Sequence, residues 1–408
     1  MTLSVATQIL TNIALILLIG LIMSLISKKL KVAHILVLIV VGLIIGKLTS
    51  QNVSFFVFSD PFLIAMAVLT LVMVVFDGAS RFEWRNVDYH SVRALKVTLY
   101  FIFFNMIFIS LATVWLFLGD LSLIHFLFAL LFAIMVSGTD PGSVFILLHK
   151  RATKAISFLK IEAIINTPFI VILPLVLIDL INDLGRYSVA EALVDKIIPF
   201  LKLIIVGIGT GVIIGLIVFR SMRKVYSQTY SPIALITAAL LAYSAAENLE
   251  GSGVLAVATL GLFFGTMYVK EKESLQEFSS MLGETLVILV FVLVGMLIEI
   301  SWSPLFMLKA FLLFLLLILT RSAAIFISLR NDHFSIKEKI FMALSMPKGI
   351  AVAVVVFSLS VFPLPEVYQP LMNTVLQLAI LIMIYSLICS SVIDRFSKFF
   401  IRVRLFKK

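Results

Sequence analysis

A short polar stretch interrupts one of the longest apolar runs in the chain, where residues 134–146 read IMVSGTDPGSVFI. Pro141 removes a backbone hydrogen-bond donor and Gly142 loosens the chain, so a helix through this run unwinds at Asp140 and exposes backbone carbonyls beside a carboxylate. A second interruption, MPKG at residues 346–349, breaks a later apolar run. The pattern predicts two discontinuous helices.

The composition around these breaks is typical of a membrane protein. Of the 408 residues, 62% are apolar or aromatic and only 13% are charged, whereas soluble domains have about 45–50% apolar and about 25% charged residues. The mean hydropathy is +1.18. Because a core of this size without a charged shell would aggregate in water, the sequence predicts an all-α polytopic membrane protein in contact with membrane lipid.

The charge and the reactive side chains exclude several functional classes. The net charge of +10 is interpreted as a topology signal and not as a nucleic-acid surface, because basic residues in membrane proteins gather on the cytoplasmic side. The single cysteine, Cys389, excludes an intrachain disulfide and a four-cysteine metal centre. The five histidines are scattered, so we expect neither a cofactor nor an enzyme, which would need a nucleophile–base pair or a metal cluster.

Apolar runs between charged residues predict about thirteen membrane-spanning segments. They lie near residues 9–27, 33–50, 61–77, 97–118, 121–148, 155–180, 197–219, 231–246, 252–269, 281–300, 305–328, 337–360 and 367–393. Loops after the odd-numbered segments, together with the C-terminal tail, hold 24 of the 32 Lys and Arg residues. This bias predicts a multi-pass protein of the cell membrane with its N-terminus outside and its C-terminus in the cytoplasm.

The segments are expected to form one membrane transporter domain over residues 1–408. Its parts are an extra N-terminal helix (1–30), a first six-helix unit (33–219), a second six-helix unit (231–393) and a short cytoplasmic tail (394–408). Each unit contains one break, in the fourth segment of the first unit and in the fifth segment of the second. Interrupted helices in both halves of a transporter point to its binding site.

Ionisable residues inside the apolar segments indicate the site. A charged group at mid-bilayer costs about 2.5–3.5 kcal/mol on insertion scales, so each one needs a function or a partner. Asp140 either binds a small cation together with unwound carbonyls or caps the helix that starts at Pro141, and the two roles are compatible. Glu162 and Asn166 are four residues apart on one face of the sixth segment, which we expect to face the protein interior. A structural alternative for Asn166 and Thr167 is a helix–helix hydrogen bond by Asn166 and a capped kink before Pro168.

Three further charged residues have specific expected roles. Arg321 lies deep in the eleventh segment, where an unpaired guanidinium is untenable, and Glu162 is its expected partner in a structural or gating ion pair. Lys348, at the second break, is expected to compensate the partial negative charge of a half-helix C-terminus. Asp77, at the end of the third segment, either reaches the site or lies at the membrane interface.

Glycines in the seventh segment predict a close helix contact. The stretch GIGTG at residues 207–211 resembles part of a phosphate-binding loop, but it lies in mid-segment and no strand precedes it. Together with Gly215 it instead indicates close approach of a neighbouring helix, and Gly261 and Gly265 indicate the same.

The ordered motifs resemble those of prokaryotic sodium/proton antiporters of the monovalent cation:proton antiporter-1 family. The likeness runs through nearly the whole chain and rests on Thr139-Asp140-Pro141, on Glu-x-x-x-Asn at 162–166, on Arg321, on Pro347-Lys348-Gly349, and on residues 76–78 and 246–257. It implies a homodimer built from inverted six-helix repeats with two crossed discontinuous helices. It also implies exchange of one cation for one proton by alternating access, as a core domain moves against a dimerisation domain.

The sixth segment departs from that family at two positions. Relatives usually carry Asn-Asp there, and the aspartate binds both the cation and the proton, whereas this chain has Asn166-Thr167. Ala163 also replaces a serine that usually follows the glutamate. A threonine hydroxyl offers an oxygen to a cation but does not exchange a proton near neutral pH.

The resemblance and the departure together define the expected site. Asp140, Thr139 and Thr167, with Asn166 and Asp77, are expected to bind the transported ion and the proton. Na⁺ is the expected cation, with Li⁺ or K⁺ as alternatives. Asp140 is the expected exchanging carboxylate, with Asp77 as the alternative if it reaches inward. The alternative function is a transporter of the same fold that moves a cation or another small solute without proton coupling.

Overall fold

The structure is a computed structural model that describes most of the chain. The described residues are 2–30, 34–50, 58–81, 89–139, 154–183, 189–222, 227–298, 300–332, 334–360, 362 and 364–400. Within them the regular secondary structure is entirely helical. Each of the thirteen apolar segments predicted from the sequence overlaps a described helix.

The helices of the described residues are named α1 to α15. In chain order they are α1 (Thr2–Leu30), α2 (His34–Ser50), α3 (Asp60–Ser80), α4 (Tyr89–Phe104, extended by turns at Asn105–Ile109, Ser110–Thr113 and Val114–Leu118), α5 (Leu123–Met135), α6 (Lys154–Asp183), α7 (Val189–Met222), α8 (Tyr230–Asn248), α9 (Gly253–Thr266), α10 (Lys272–Leu297), α11 (Pro304–Ser328), α12 (Ile336–Leu344), α13 (Ile350–Ser360), α14 (Gln369–Arg395) and α15 (Ser397–Phe400).

Length and hydropathy make this a multi-pass membrane protein. Seven described stretches are long and apolar enough to cross a bilayer: Thr7–Ser27, Pro61–Ser80, Val92–Leu118, Leu201–Met222, Lys272–Leu297, Pro304–Ser328 and Glu366–Ile393. Shorter apolar helices of 10–17 residues include His34–Leu48, Leu123–Met135, Gly253–Thr266 and Ala351–Ser360. The helices α6 and α7 begin earlier and end later than the predicted segments, because polar residues extend each apolar stretch at both ends.

The helices pack as two groups. The first bundle contains α1, α2, α3 and α7 to α10, and the second bundle contains α4, α5, α6 and α11 to α14. The bundles meet chiefly where α13 packs against α3 and α10 and where α6 packs against α3 and α9. Each predicted six-helix unit contributes to both bundles, so neither unit forms a separate body.

The second bundle contains both predicted helix breaks. The twelfth predicted segment is broken as expected, because α12 ends at Leu344, α13 starts at Ile350 and Pro347 lies between them. In the fifth segment α5 ends at Met135, and the described residues that follow, 136–139, are not helical. Residues 140–153, which include the predicted second half of this segment, lie outside the described part of the chain.

Glycines bring α7 against α9, as predicted from the GIGTG stretch. A Cβ added to Gly207 would lie 2.7 Å from the Ser252 carbonyl oxygen, and one added to Gly211 would overlap the Ala256 carbonyl oxygen. Gly261 makes a comparable approach to α3, 2.9 Å from the Phe76 carbonyl oxygen. A side chain at any of these three positions would push two helices apart.

Gly209 provides a matched control for this packing, because a Cβ there would meet nothing within 4 Å. We expect Gly211→Ala to lower the free energy of unfolding by about 1–3 kcal/mol through overpacking. We expect Gly209→Ala to be neutral or to stabilise the helix by up to about 1 kcal/mol. Denaturant unfolding in detergent micelles measures both, and equal effects of the two substitutions would contradict the α7–α9 contact.

Candidate functional site

A cluster of buried polar side chains lies inside the second bundle, between the break that follows α5 and the break between α12 and α13. Every member is at most 4% exposed. The members are Asn105, Ser137, Thr139, Glu162, Asn166, Thr320, Arg321, Lys348 and Ser386. We call this set the polar cluster.

Glu162 and Arg321 form a bidentate ion pair in the polar cluster. The Arg321 Nη2 donates to Glu162 Oε2 at 2.6 Å, and Nη1 donates to Oε1. Both side chains are fully buried. The structure therefore brings together the two residues that the sequence analysis paired, and each charge neutralises the other in an apolar interior.

Lys348 connects the two breaks. Its backbone N–H donates to Ser386 Oγ at 3.0 Å, and its Nζ donates to the carbonyl oxygen of Gly138. Gly138 lies three residues beyond the end of α5, so the ammonium reaches the negative end of that half-helix. The half-helix with which Lys348 interacts is thus in the fifth segment, although Lys348 itself belongs to the twelfth.

Phe101 of α4 lies beside both buried cations. Its ring centroid is 5.0 Å from the Arg321 guanidinium carbon and 5.1 Å from Lys348 Nζ. An aromatic face attracts a cation, most strongly where water is excluded. The ring therefore helps to hold two like charges near each other, although only one carboxylate, Glu162, is found among the described members of the polar cluster.

Thr139 and Asn166 meet at the end of the described part of the fifth segment. The Asn166 Nδ2 donates to Thr139 Oγ1 at 2.6 Å. The Asn166 Oδ1 is buried and has no hydrogen-bond partner among the described residues. Because Asn166 follows Glu162 by one turn of α6, the predicted polar face does point into the protein. The arrangement offers at least two oxygen atoms for a cation.

Asn105, Ser137 and Thr320 belong to the polar cluster, but the sequence analysis gave them no role. The Thr320 Oγ1 donates to Asn105 Oδ1 at 2.6 Å, and Asn105 Nδ2 donates to Ser137 Oγ at 3.0 Å. The available signal was an amide in the apolar run of α4. An uncharged polar residue at membrane depth commonly hydrogen-bonds another helix, so Asn105 by itself indicates a helix–helix contact in this run.

Asp77 makes its described contacts away from the polar cluster. Its carboxylate accepts from Arg81 Nε at 3.2 Å and from Ser280 Oγ at 2.9 Å, at the end of α3 where the side chains are partly exposed. No described hydrogen bond joins it to Thr139 or Asn166. These contacts favour the interfacial alternative for Asp77.

Two of the predicted ion ligands cannot be placed by their side chains. Asp140 lies outside the described residues, and for Thr167 the structure describes only the backbone, within α6. Their positions in the chain are nevertheless close to the described site. Asp140 directly follows Thr139, and Thr167 directly follows Asn166.

The ion pair yields a stability prediction. We expect Arg321→Met to lower the free energy of unfolding by about 3–5 kcal/mol, because it leaves the Glu162 charge buried and unpaired. The double variant Glu162→Leu with Arg321→Met removes both charges and is expected to recover most of that loss. Denaturant unfolding in micelles provides the comparison. A double variant as unstable as Arg321→Met alone would contradict the pairing.

The fold of the chain is similar to that of a solved antiporter. The sodium proton antiporter MjNhaP1 from Methanocaldococcus jannaschii, determined at pH 8, superposes with a TM-score of 0.79 over 95% of this chain and 97% of that one. The two sequences are 19% identical. At that identity the similarity establishes a common fold.

The sequence is also similar to curated transporters. It is 27% identical over 340 residues to the K(+)/H(+) antiporter NhaP of Alkalimonas amylolytica (81% of this chain, 57% of the relative) and 26% identical over 360 residues to the K(+)/H(+) antiporter NhaP2 of Shewanella sp. strain ANA-3 (86% and 60%). The chain thus spans less than two thirds of the length of these two relatives. A probable Na(+)/H(+) antiporter 2 of M. jannaschii is 28% identical over 362 residues (82% and 80%).

The family assignment rests on a match over nearly the whole chain. The model of the transmembrane sodium/hydrogen exchanger family matches residues 13–395 of this chain. This range contains both chain breaks and the whole polar cluster, and it confirms the resemblance drawn from the sequence motifs. The chain therefore belongs to the sodium/hydrogen exchanger family of monovalent cation:proton antiporters.

Proposed function

We propose that the protein is a secondary active antiporter that exchanges a monovalent cation for protons by alternating access. The observation that carries this proposal is the contact between Thr139 and Asn166. It brings cation-binding oxygens together at the end of a broken helix, directly before Asp140 in the chain. Discontinuous helices commonly supply substrate and ion sites in secondary transporters.

The cation is held by oxygen ligands from two segments. Asn166 Oδ1, buried and without a described hydrogen-bond partner, is available as one ligand, and Thr139 Oγ1 keeps a lone pair besides the one that accepts from Asn166. Asp140 adds a carboxylate, and Thr167 adds a second hydroxyl. The backbone carbonyls of the unwound chain complete an oxygen environment suited to a small cation.

Charge balance supports Asp140 as the exchanging group. Arg321 already neutralises Glu162 through two hydrogen bonds, so Glu162 is not a free ion site. Lys348 adds a further buried positive charge that no described carboxylate contacts. A carboxylate at Asp140 balances this charge while the site is empty. A cation and a proton then compete for the same carboxylate, and this competition couples their movements.

Alternating access requires one part of the protein to move relative to another. The second bundle, which contains the site, contacts the first bundle through α13 and α6. We infer that the second bundle is the moving core, and that the first is the dimerisation part of a homodimer in the cell membrane. The bias of basic residues toward alternate loops supports an N-terminus outside and a C-terminus in the cytoplasm.

Na⁺ is the proposed cation, and K⁺ and Li⁺ are the alternatives. The relatives compared above include proteins named for K⁺/H⁺ exchange and for Na⁺/H⁺ exchange. Thr167 motivates a second candidate function, because the aspartate that usually binds the proton there is absent. That candidate is transport of a cation or another small solute without proton coupling.

A proteoliposome assay tests the exchange directly. With a trapped pH dye and an imposed proton gradient, we expect addition of Na⁺ to restore the internal pH in the wild type. The recovery is expected to be lost in Asp140→Asn, since an amide carries no exchangeable charge, and to need at least about tenfold more Na⁺ in Thr139→Ala, which lacks one ligand. Li⁺ and K⁺ are added in parallel to rank the cations.

Asp77→Asn is the matched control, because it also neutralises an aspartate in an apolar segment. The Asp77 carboxylate contacts Arg81 and Ser280 and has no described contact with the polar cluster. Asp77→Asn is expected to keep cation-triggered pH recovery. An Asp140→Asn protein that still exchanges would contradict the role of Asp140. A cation flux in the wild type that does not depend on pH would favour the uncoupled alternative.

A further inference from the structure

The polar cluster contains a closed ring of contacts that joins α4, the residues after α5, α6 and α11. Thr139 meets Asn166, and Asn166 lies one turn from Glu162 on α6. Glu162 pairs with Arg321, which directly follows Thr320 on α11. Asn105 of α4 completes this ring. Its side chain hydrogen-bonds Thr320 and also Ser137, which lies two residues before Thr139.

Both polar atoms of the Asn105 side chain have a partner on another element. Ser137 Oγ donates to the Ala133 carbonyl oxygen at 2.7 Å and accepts from Asn105 Nδ2. The Thr320 hydroxyl donates to Asn105 Oδ1 at 2.6 Å, and the Leu317 carbonyl oxygen, 3.0 Å from the same hydroxyl, is a second acceptor. Aligned hydrogen bonds of this kind strengthen one another in a medium of low dielectric constant.

Ser137 also determines how α5 ends. The Ser137 N–H bonds the Ile134 carbonyl instead of the Ala133 carbonyl, which tightens the last turn. Ser137 Oγ donates to the Ala133 carbonyl, one of the last four of α5, which commonly lack a partner within a helix. By accepting at one end and donating at the other, Ser137 fixes the geometry of the chain two residues before Thr139.

Asn105 lies at a buried position, where an amide side chain destabilises the fold unless it is hydrogen-bonded. It is fully buried and begins the π-helical turn Asn105–Ile109 of α4. Such turns are rare in proteins, and those that occur are often found at functional sites. One turn earlier on the same helix, Phe101 contacts both Arg321 and Lys348. This part of α4 therefore contacts the ion pair through Arg321 and both breaks, through Lys348 and Ser137.

We propose that Asn105 is a positioning residue for cation binding: through Ser137 it holds Thr139 against Asn166, and through Thr320 it ties this geometry to the Glu162–Arg321 pair. The inference rests on the proposed function, because it assigns Asn105 to the same cation site. Asn105 acts on the cation only through Thr139.

A double-mutant cycle in the reconstituted full chain tests this role. We expect Asn105→Leu, which keeps the size but removes both hydrogen bonds, to raise the KM for Na⁺ about tenfold and to change kcat by less than about threefold. Ser137→Ala is expected to have the same effect. Because Asn105 acts through Thr139, Asn105→Leu with Thr139→Ala should raise KM no more than Thr139→Ala alone.

Thr113→Val is the matched control on the same helix. Thr113 is also fully buried, but its hydroxyl bonds the Ile109 carbonyl of its own helix, at 2.7 Å. It should leave the KM for Na⁺ within twofold of the wild type. A KM for Asn105→Leu within twofold of the wild type, or additive effects with Thr139→Ala, would overturn the proposal. If Asn105→Leu does not fold, Ser137→Ala completes the same cycle.

A binding measurement separates this inference from the proposed function. In detergent, the Na⁺ concentration that raises the unfolding temperature reports binding without transport. A wild type that binds Na⁺ but shows no exchange would contradict the antiporter function. In that case Asn105→Leu should still need about tenfold more Na⁺ than the wild type for the same rise in unfolding temperature. A wild type whose unfolding temperature is shifted by none of Na⁺, Li⁺ and K⁺ would overturn both.

Discussion

The buried pair of Glu162 and Arg321 is the constraint around which the second bundle is organised. Removing either charge from water costs several kcal/mol, and only close, doubly hydrogen-bonded contact offsets that cost. The contact fixes α6 and α11 relative to each other. From α6 the constraint extends one turn to Asn166 and Thr139, and from α11 it extends to Thr320 and its neighbours.

The chain breaks depend on the same environment. Broken helices leave backbone groups without helical partners, and at membrane depth this is tolerated only inside protein or around a water-filled cavity. Here Ser137 satisfies the Ala133 carbonyl and Lys348 satisfies the Gly138 carbonyl. Lys348 in turn is anchored through its backbone by Ser386 of α14. The interruptions are thus held by specific donors and not by packing alone.

The two bundles are stabilised in different ways. This difference agrees with the proposed roles of the first bundle as the dimerisation part and of the second bundle as the moving core. In the first bundle, glycines let helices approach until backbones touch, as Gly42 of α2 and Gly295 of α10 do: a Cβ on Gly295 would lie 2.8 Å from the Gly42 Cα. Such contacts allow little rearrangement because the backbones themselves are in contact. The second bundle instead contains the buried charged and hydrogen-bonded groups of the polar cluster.

The sequence by itself determined the helical class, the apolar segments, the break at Pro347 and the need of Arg321 for a carboxylate partner. These follow from local or obligatory physics: apolar length, a missing backbone donor and the cost of an unpaired charge. Only the tertiary structure decided that Lys348 contacts Gly138, 210 residues away, that Asn105 joins Ser137 and Thr320, 32 and 215 residues away, and that Gly211 faces a helix whereas Gly209 does not. Burial cost can be assessed one residue at a time, but a hydrogen bond requires two atoms about 3 Å apart in the right direction, and helix packing alone determines which distant residues satisfy that condition.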